Sequence, residues 1–151
     1  MATKLFHRIV VPTDLSDCAE EAWKVAQRVA ETLQSELVLV HVFVTPPIYG
    51  DPLRISADKT WEAYEKARQW VAEALDKTAT QAKDKGVTVR PVMLTGSPAQ
   101  EIVDLARSEQ ADLVIMGTHG RGGMSRVLLG SVADRVIRLA PCPVLTVRTP
   151  E

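Results

Sequence analysis

Apolar positions along this chain keep two rhythms, short runs that are almost unbroken and longer stretches spaced by threes and fours. The runs are Ile9-Val10-Val11, Leu37 to Val44, Leu113 to Met116 and Val144 to Val147, and Val87 to Leu94 reads as a further strand. Leu37 to Val44 is nearly continuous and rich in β-branched residues, the pattern of a strand covered on both faces. Between them the spacing is helical. Ala22, Trp23, Ala26, Val29, Ala30 and Leu33 form one stripe behind an N-cap at Ser16 or Asp17. A long helix is predicted from about Ala57 to Lys85, closed by Gly86, with Trp61, Tyr64, Val71, Leu75 and Ala82 on its inner face. Ser97-Pro98-Ala99-Gln100 offers an N-cap, a proline at the first helical position and a capping-box partner, and Ile102, Val103 and Ala106 follow. Val132, Ala133, Val136, Ile137 and Ala140 form a fourth helix. The segment Thr45–Asp58, with Pro46, Pro47, Gly50 and Pro52, reads as a long loop.

Five strands alternating with four helices predict an α/β fold, an open parallel five-stranded sheet with helices on both faces. No repeat, low-complexity tract or linker divides the chain, so a single domain over residues 1–151 is expected. The 18 basic and 19 acidic residues leave a net charge of -1. No global field therefore favours nucleic acid or a membrane surface. No apolar stretch approaches the roughly 20 residues needed to span a bilayer. Met1 to Arg8 lacks the apolar core of a signal peptide, which makes the cytoplasm the expected location. Cys18 and Cys142 are too few and too scattered for a disulfide framework or a zinc site. Cys18 falls in the first turn of a helix, where the dipole lowers a thiol pKa, but reads as a buried structural thiol.

The chemistry concentrates after the fourth strand. Gly117-Thr118-His119-Gly120, nine residues, then Gly130-Ser131 make a glycine-bearing loop between a buried strand and a helix start. Glycines let the backbone approach an anion, and the free N–H groups of the helix start point at it. A mere connection needs only a short turn, whereas this loop runs from Thr118 to Leu129. After the first strand, Pro12-Thr13-Asp14 adds a carboxylate able to accept from ribose or amine groups. If strands one and four are neighbours, Asp14 and Gly117 face each other across the crevice where parallel sheets bind ligands. The chain has no Gly-x4-Gly-Lys-Ser/Thr, and Gly120-Arg121-Gly122-Gly123 lacks the last glycine of a dinucleotide fingerprint, because position 125 is serine. Arg121 and Arg126, with the hydroxyls of Thr118, Ser125 and Ser131, suit a polyphosphate or its divalent ion. His41 reads as a hydrogen-bonded core histidine, and His119 as either a phosphate neighbour or a bystander. Trp23, Trp61, Tyr64 and Trp70 sit at packing spacing, as core or rim, not as a base-stacking platform.

This pattern resembles the ATP-binding branch of the universal stress protein family. Gly-x2-Gly-x9-Gly-Ser/Thr is met by Gly117, Gly120, Gly130 and Ser131. The early Pro-Thr-Asp, His41-Val42, Gly96-Ser97-Pro98 and the closing Pro143-Val144-Leu145-Thr146-Val147 extend the likeness from Phe6 to Arg148. The resemblance implies a Rossmann-like sheet ordered 3-2-1-4-5, similar to adenine nucleotide alpha hydrolases, which sets strands one and four side by side. It also implies that the Val42 backbone reads adenine, with Pro12, Thr13 and Asp14 flanking the adenosine. Met116 and Gly117 would line the ribose. Gly120, Gly130, Ser131 and Val132 would cradle the phosphates, with Mg²⁺ or Mn²⁺ held between them; Arg121 joins them on the reading of the loop itself. A homodimer through strand five is the implied assembly, with an unnamed protein partner.

Three functions follow. The leading one is a nucleotide-dependent regulatory switch in stress response, because a full phosphate motif comes without an evident catalytic base. The alternatives are a slow ATPase or autophosphorylating enzyme, and a dimeric interaction module indifferent to nucleotide.

Overall fold

The computed structural model describes residues 5–44, 55–120 and 128–150, with 55–58 by backbone alone. Its elements are β1 (Arg8–Pro12), α1 (Asp17–Leu33), β2 (Glu36–Phe43), α2 (Ile55–Asp84), β3 (Thr88–Thr95), α3 (Pro98–Ser108), β4 (Leu113–Gly117), α4 (Ser131–Leu139) and β5 (Val144–Val147). The strands form one sheet in the order β3-β2-β1-β4-β5, every neighbouring pair parallel. This is the Rossmann-like arrangement that the alternation of strands and helices predicts. No helix among the described residues is long and apolar enough to cross a membrane.

The two-residue period of a strand divides the core into two layers. Ile9, Val11, Leu37, Leu39, Leu113 and Ile115 pack on one face against Ala22, Trp23 and Ala26 of α1 and Val71, Leu75 and Ala79 of α2. Val10, Val38, Val40, Val114 and Met116 pack on the other, against Ile102, Val103 and Ala106 of α3 and Ala133 and Val136 of α4. Because both faces are covered there, the inner strands β1, β2 and β4 read as nearly unbroken apolar runs, whereas the edge strands β3 and β5 are only partly buried.

Local signals place the element ends. Ser16 is the N-cap of α1, its Oγ accepting from the Ala19 N–H at 3.2 Å. Past α2, the Gly86 and Val87 N–H groups donate back to the Lys83 and Ala82 carbonyls, and Gly86 takes φ +82°, a left-handed cap that glycine adopts without penalty. Two expectations fail. The Ser97 side chain makes no cap bond, and Gln100 donates instead to Asp104 Oδ1 at 3.0 Å, one turn along the helix, so no capping box forms. Trp61 is 54% exposed, not part of the α2 inner face, because the sheet edge covers Tyr64 and leaves Trp61 leaning on its ring. Trp70 is also exposed, whereas Trp23 is buried. Of the expected loop Thr45–Asp58, the part from Ile55 is already helix, and 45–54 lie outside the described residues.

At the amino ends of the strands four charged side chains close a ring. Arg8 meets Glu36 at 3.1 Å and Glu109 at 3.6 Å, while Arg90 meets Glu109 at 2.5 Å and Glu36 at 3.8 Å. Arg8 also donates to the Glu109 carbonyl at 2.8 Å, tying β1 to the end of α3. Asp112 takes the backbone N–H groups of His7 and Arg8 at 2.7 and 2.8 Å. The ring is partly exposed and therefore modest in energy. Glu109→Gln is expected to lower unfolding stability by about 1 kcal/mol at low salt, with the deficit shrinking near 1 M salt. Urea unfolding at two salt concentrations measures this, and a salt-independent deficit would assign the loss to packing.

Candidate functional site

The parallel strands β1 and β4 end side by side, β1 at Pro12 and β4 at Gly117. From there the chain diverges, to α1 on one face of the sheet and to α4 on the other. A crevice opens where the connections part, as the rule for open α/β sheets requires. It holds a cavity of about 490 Å³, within the size range of small-molecule sites.

One wall is the turn between β1 and α1. The Thr13 N–H donates to the Val40 carbonyl at 2.8 Å, and Thr13 Oγ1 accepts from the Leu15 N–H at 3.1 Å. His41 Nδ1 lies 2.8 Å from the Thr13 carbonyl oxygen. Asp14 Oδ1 accepts from the Ser16 N–H at 3.0 Å, and Leu15 takes φ +64° to make the bend. Asp14 thus stands at the mouth of the cavity in a turn held by side-chain and backbone bonds alike.

The second wall comes from unequal strand lengths. The last residues paired between β1 and β2 are Pro12 and Val40. In a strand, successive residues turn their N–H and C=O to opposite sides. Val40 bonds toward β1, and Phe43 bonds the other way, to the Gly96 N–H at 2.8 Å. Val42 therefore turns its peptide groups to the β1 side, two residues past the end of pairing, and it lines the cavity.

The third wall is the pair of described flanks of the glycine loop. The Thr118 N–H donates to the Val147 carbonyl at 3.0 Å, and the Gly130 N–H to the Thr118 carbonyl at 2.7 Å, pinning the two ends of the loop together. Gly130 caps α4, and the N–H groups of Ser131, Val132 and Ala133 precede its first intrahelical bond, Asp134 N–H to the Gly130 carbonyl. All three residues line the cavity, so the positive end of the helix dipole meets it. Side chains would close this wall. A Cβ on Gly120 would strike Asp14 Oδ2, and one on Gly130 would come within 3.1 Å of His119 Cα and the Thr118 carbonyl. A Cβ on Gly117 would lie 2.9 Å from Cys18 Sγ, beneath the site. Burial pushes that thiol's pKa up, but hydrogen bonds from the His119 and Thr118 backbone and the Thr149 and Thr118 hydroxyls outweigh it, and the net shift is downward.

Pro12, Thr13, Asp14, Val42, Met116, Gly117, Gly120, Gly130, Ser131 and Val132 all line this one cavity. Arg121 lies outside the described residues, as do Ser125 and Arg126. His119 joins the lining, its Nδ1 3.0 Å from Thr118 Oγ1. Sequence reasoning missed Ala19, Val40, Val44, Pro98, Ile102 and Ala133 as lining residues, and His41, read as a core histidine, lines the cavity too. The signal for Pro98 and Ile102 was present: a helix start directly after a strand end is placed at the same rim as the other two. Among the described residues no three of His, Cys, Asp and Glu cluster as metal ligands.

Comparisons with known proteins bear on the fold and the family. Universal stress protein MJ0531 of Methanocaldococcus jannaschii is 43% identical over 148 residues, covering 97% of this chain and 85% of its own. The solved structure of MJ0577, from the same organism, superposes with a TM-score of 0.81 at 29% identity, covering 97% of this chain and 99% of that one. A universal stress protein from Archaeoglobus fulgidus, solved in complex with dAMP, superposes with a TM-score of 0.62 at 25% identity, covering 95% and 98%. Residues 5–148 match the Universal stress protein family as a whole, and the chain belongs to that family.

Proposed function

We propose that the crevice binds ATP and that the bound nucleotide makes this protein a regulatory switch in stress response. One arrangement carries the reading: the Val42 peptide groups, the Asp14 carboxylate and the N-terminus of α4 surround a single cavity. Adenine offers an acceptor at N1 beside a donor at N6, the complement of a peptide N–H and C=O, whereas guanine offers the reverse order. Pro12 and Thr13 flank the adenosine with Asp14, and Met116 and Gly117 line the ribose. Gly120, Gly130, Ser131 and Val132 cradle the phosphates, where helix N–H groups favour negative charge. Mg²⁺ or Mn²⁺ arrives on the phosphates, and the Ser131 hydroxyl is the neutral oxygen donor at that end. That the Archaeoglobus fulgidus relative was solved in complex with dAMP supports an adenine nucleotide as the ligand.

Calorimetric titration of ATP with Mg²⁺ into nucleotide-free protein tests the reading, with GTP as the comparison. Saturable heat for ATP and a much weaker response to GTP are expected. No saturable heat would remove the binding site. Amide exchange over 113–120 and 128–139, with and without ATP, tests the switch: equal protection in both states would leave a binding protein without one.

A second copy of the chain is the proposed assembly partner. β5 is an edge strand whose Leu145 is 42% exposed, and Ile137 and Leu139 of α4 are exposed as well. Unpaired edges with apolar side chains are templates for pairing. Light scattering after size exclusion is expected to give a dimer for the parent and a monomer for Leu145→Glu, and a monomeric parent would overturn the assignment.

A further inference from the structure

We infer that His41 is a positioning residue for the crevice, its imidazole clamping the Thr13 carbonyl and so setting the turn that presents Asp14. The inference rests on the nucleotide reading of the site for its effect on affinity, and on geometry alone for the clamp.

Thr13 is held at three points. Its N–H bonds to Val40 and its hydroxyl accepts from Leu15, both of which leave its carbonyl to be satisfied separately. His41 Nδ1 meets that carbonyl at 2.8 Å. A carbonyl oxygen only accepts, so Nδ1 carries the proton, and the tautomer is set by the bond. The ring is braced from behind. Phe43 approaches it edge-on with centroids 4.6 Å apart, Phe43 in turn meets Tyr64 at 5.7 Å, and the Arg68 guanidinium lies 5.5 Å from the Phe43 ring centre. An imidazole packed in this way keeps its donor aimed with little rotational freedom to lose.

The consequence lies one residue further along. Asp14 follows Thr13 directly and packs so closely on Gly120 that the glycine loop has no room for a Cβ there. A shift of the Thr13 peptide moves that carboxylate relative to both the Val42 edge and the loop. His41 lines the cavity, and through the turn it also sets where Asp14 stands in it. The carbonyl it satisfies is half-buried, so losing the bond also leaves an acceptor to find water.

The side-chain amide of asparagine places a donor where Nδ1 sits, and that of glutamine places one nearer Nε2. His41→Asn is therefore expected to keep ATP affinity within about twofold, whereas His41→Gln and His41→Leu weaken it about tenfold, the scale of one hydrogen bond. Proton–nitrogen correlation spectra of the ligand-free parent are expected to show His41 as the Nδ1–H tautomer. Amide exchange at Thr13 to Ser16 is expected to speed up in Gln and Leu but not in Asn. Equal affinities in all four proteins, or an Nε2–H tautomer, would overturn the clamp. A parent that binds no ATP would overturn the nucleotide reading instead, and the tautomer and exchange data would still judge the clamp by themselves. If Leu lowers the thermal midpoint while Asn, Gln and Leu all bind like the parent, His41 is structural only.

Discussion

Gly130→Asp is expected to weaken ATP binding at least a hundredfold while leaving the protein folded. Gly130 caps α4 with φ −63° and ψ 151°, a conformation open to any L-residue, and aspartate is among the favoured residues at an N-cap. The helix cap therefore accepts the substitution, and the stability cost is that of shifting the Thr118–His119 backbone by a few tenths of an ångström to admit the Cβ. For a bound anion the same change is severe. The new carboxylate takes the N–H groups that the phosphates would use, and charge-assisted bonds of this kind are worth about 1.5–3 kcal/mol each. Its charge repels what remains, and its Cβ would press on the Thr118 carbonyl and His119 Cα at 3.1 Å. Two lost bonds alone reach a hundredfold, since about 1.4 kcal/mol is a factor of ten. Calorimetric titration of parent and variant, alongside thermal unfolding, measures both halves. Gly130→Ala, which adds bulk without charge, should lie between them. Retained affinity in a folded Asp variant would remove the α4 N-terminus from the phosphate site.

Leu75→Ala is expected to cost about 2–5 kcal/mol of unfolding stability, whereas Trp61→Ala on the same helix costs less than about 1 kcal/mol. Leu75 is 1% exposed, packed between α2 and the sheet, so truncation removes apolar burial and leaves a cavity. Trp61 is the larger side chain but is 54% exposed, and its described partner is the Tyr64 ring, 5.4 Å away. Size and hydrophobicity favour tryptophan as the costlier loss; burial decides the other way. Urea unfolding of the three proteins measures it, and equal losses would mean that Trp61 packs against something more than Tyr64.

The contrast between these two residues marks what the amino-acid pattern can convey. Helical spacing puts Trp61 and Leu75 on related faces of α2, and periodicity alone gives no sign that the sheet stops short of the first turns. The inner strands were legible because both their faces are covered, which turns burial into nearly unbroken runs such as Leu37 to Phe43. The gathering of Asp14, Gly117 and Gly130 at one crevice was legible too, since strand ends and glycine spacing are local signals and the strand order came with the family resemblance. Contacts between distant segments were not. The ring of Arg8, Glu36, Arg90 and Glu109 joins residues up to 101 positions apart, and nothing near any of them announces the others. The capping box at Ser97 failed for a related reason: Gln100 had a competing partner in Asp104, and a motif match does not rank competitors.

On the proposed reading, the overhang of β2 beyond β1 puts base selectivity in the main chain. The ligand would extend the sheet like a stub of missing strand, read by peptide groups that every residue except proline carries in full. Exchanging Val42 for another β-branched residue would then alter fit but not preference, while an insertion that lengthened β1 would fill the gap and exclude the base. What this protein discriminates is written in a difference of lengths, and substitution of single letters has little grip on it.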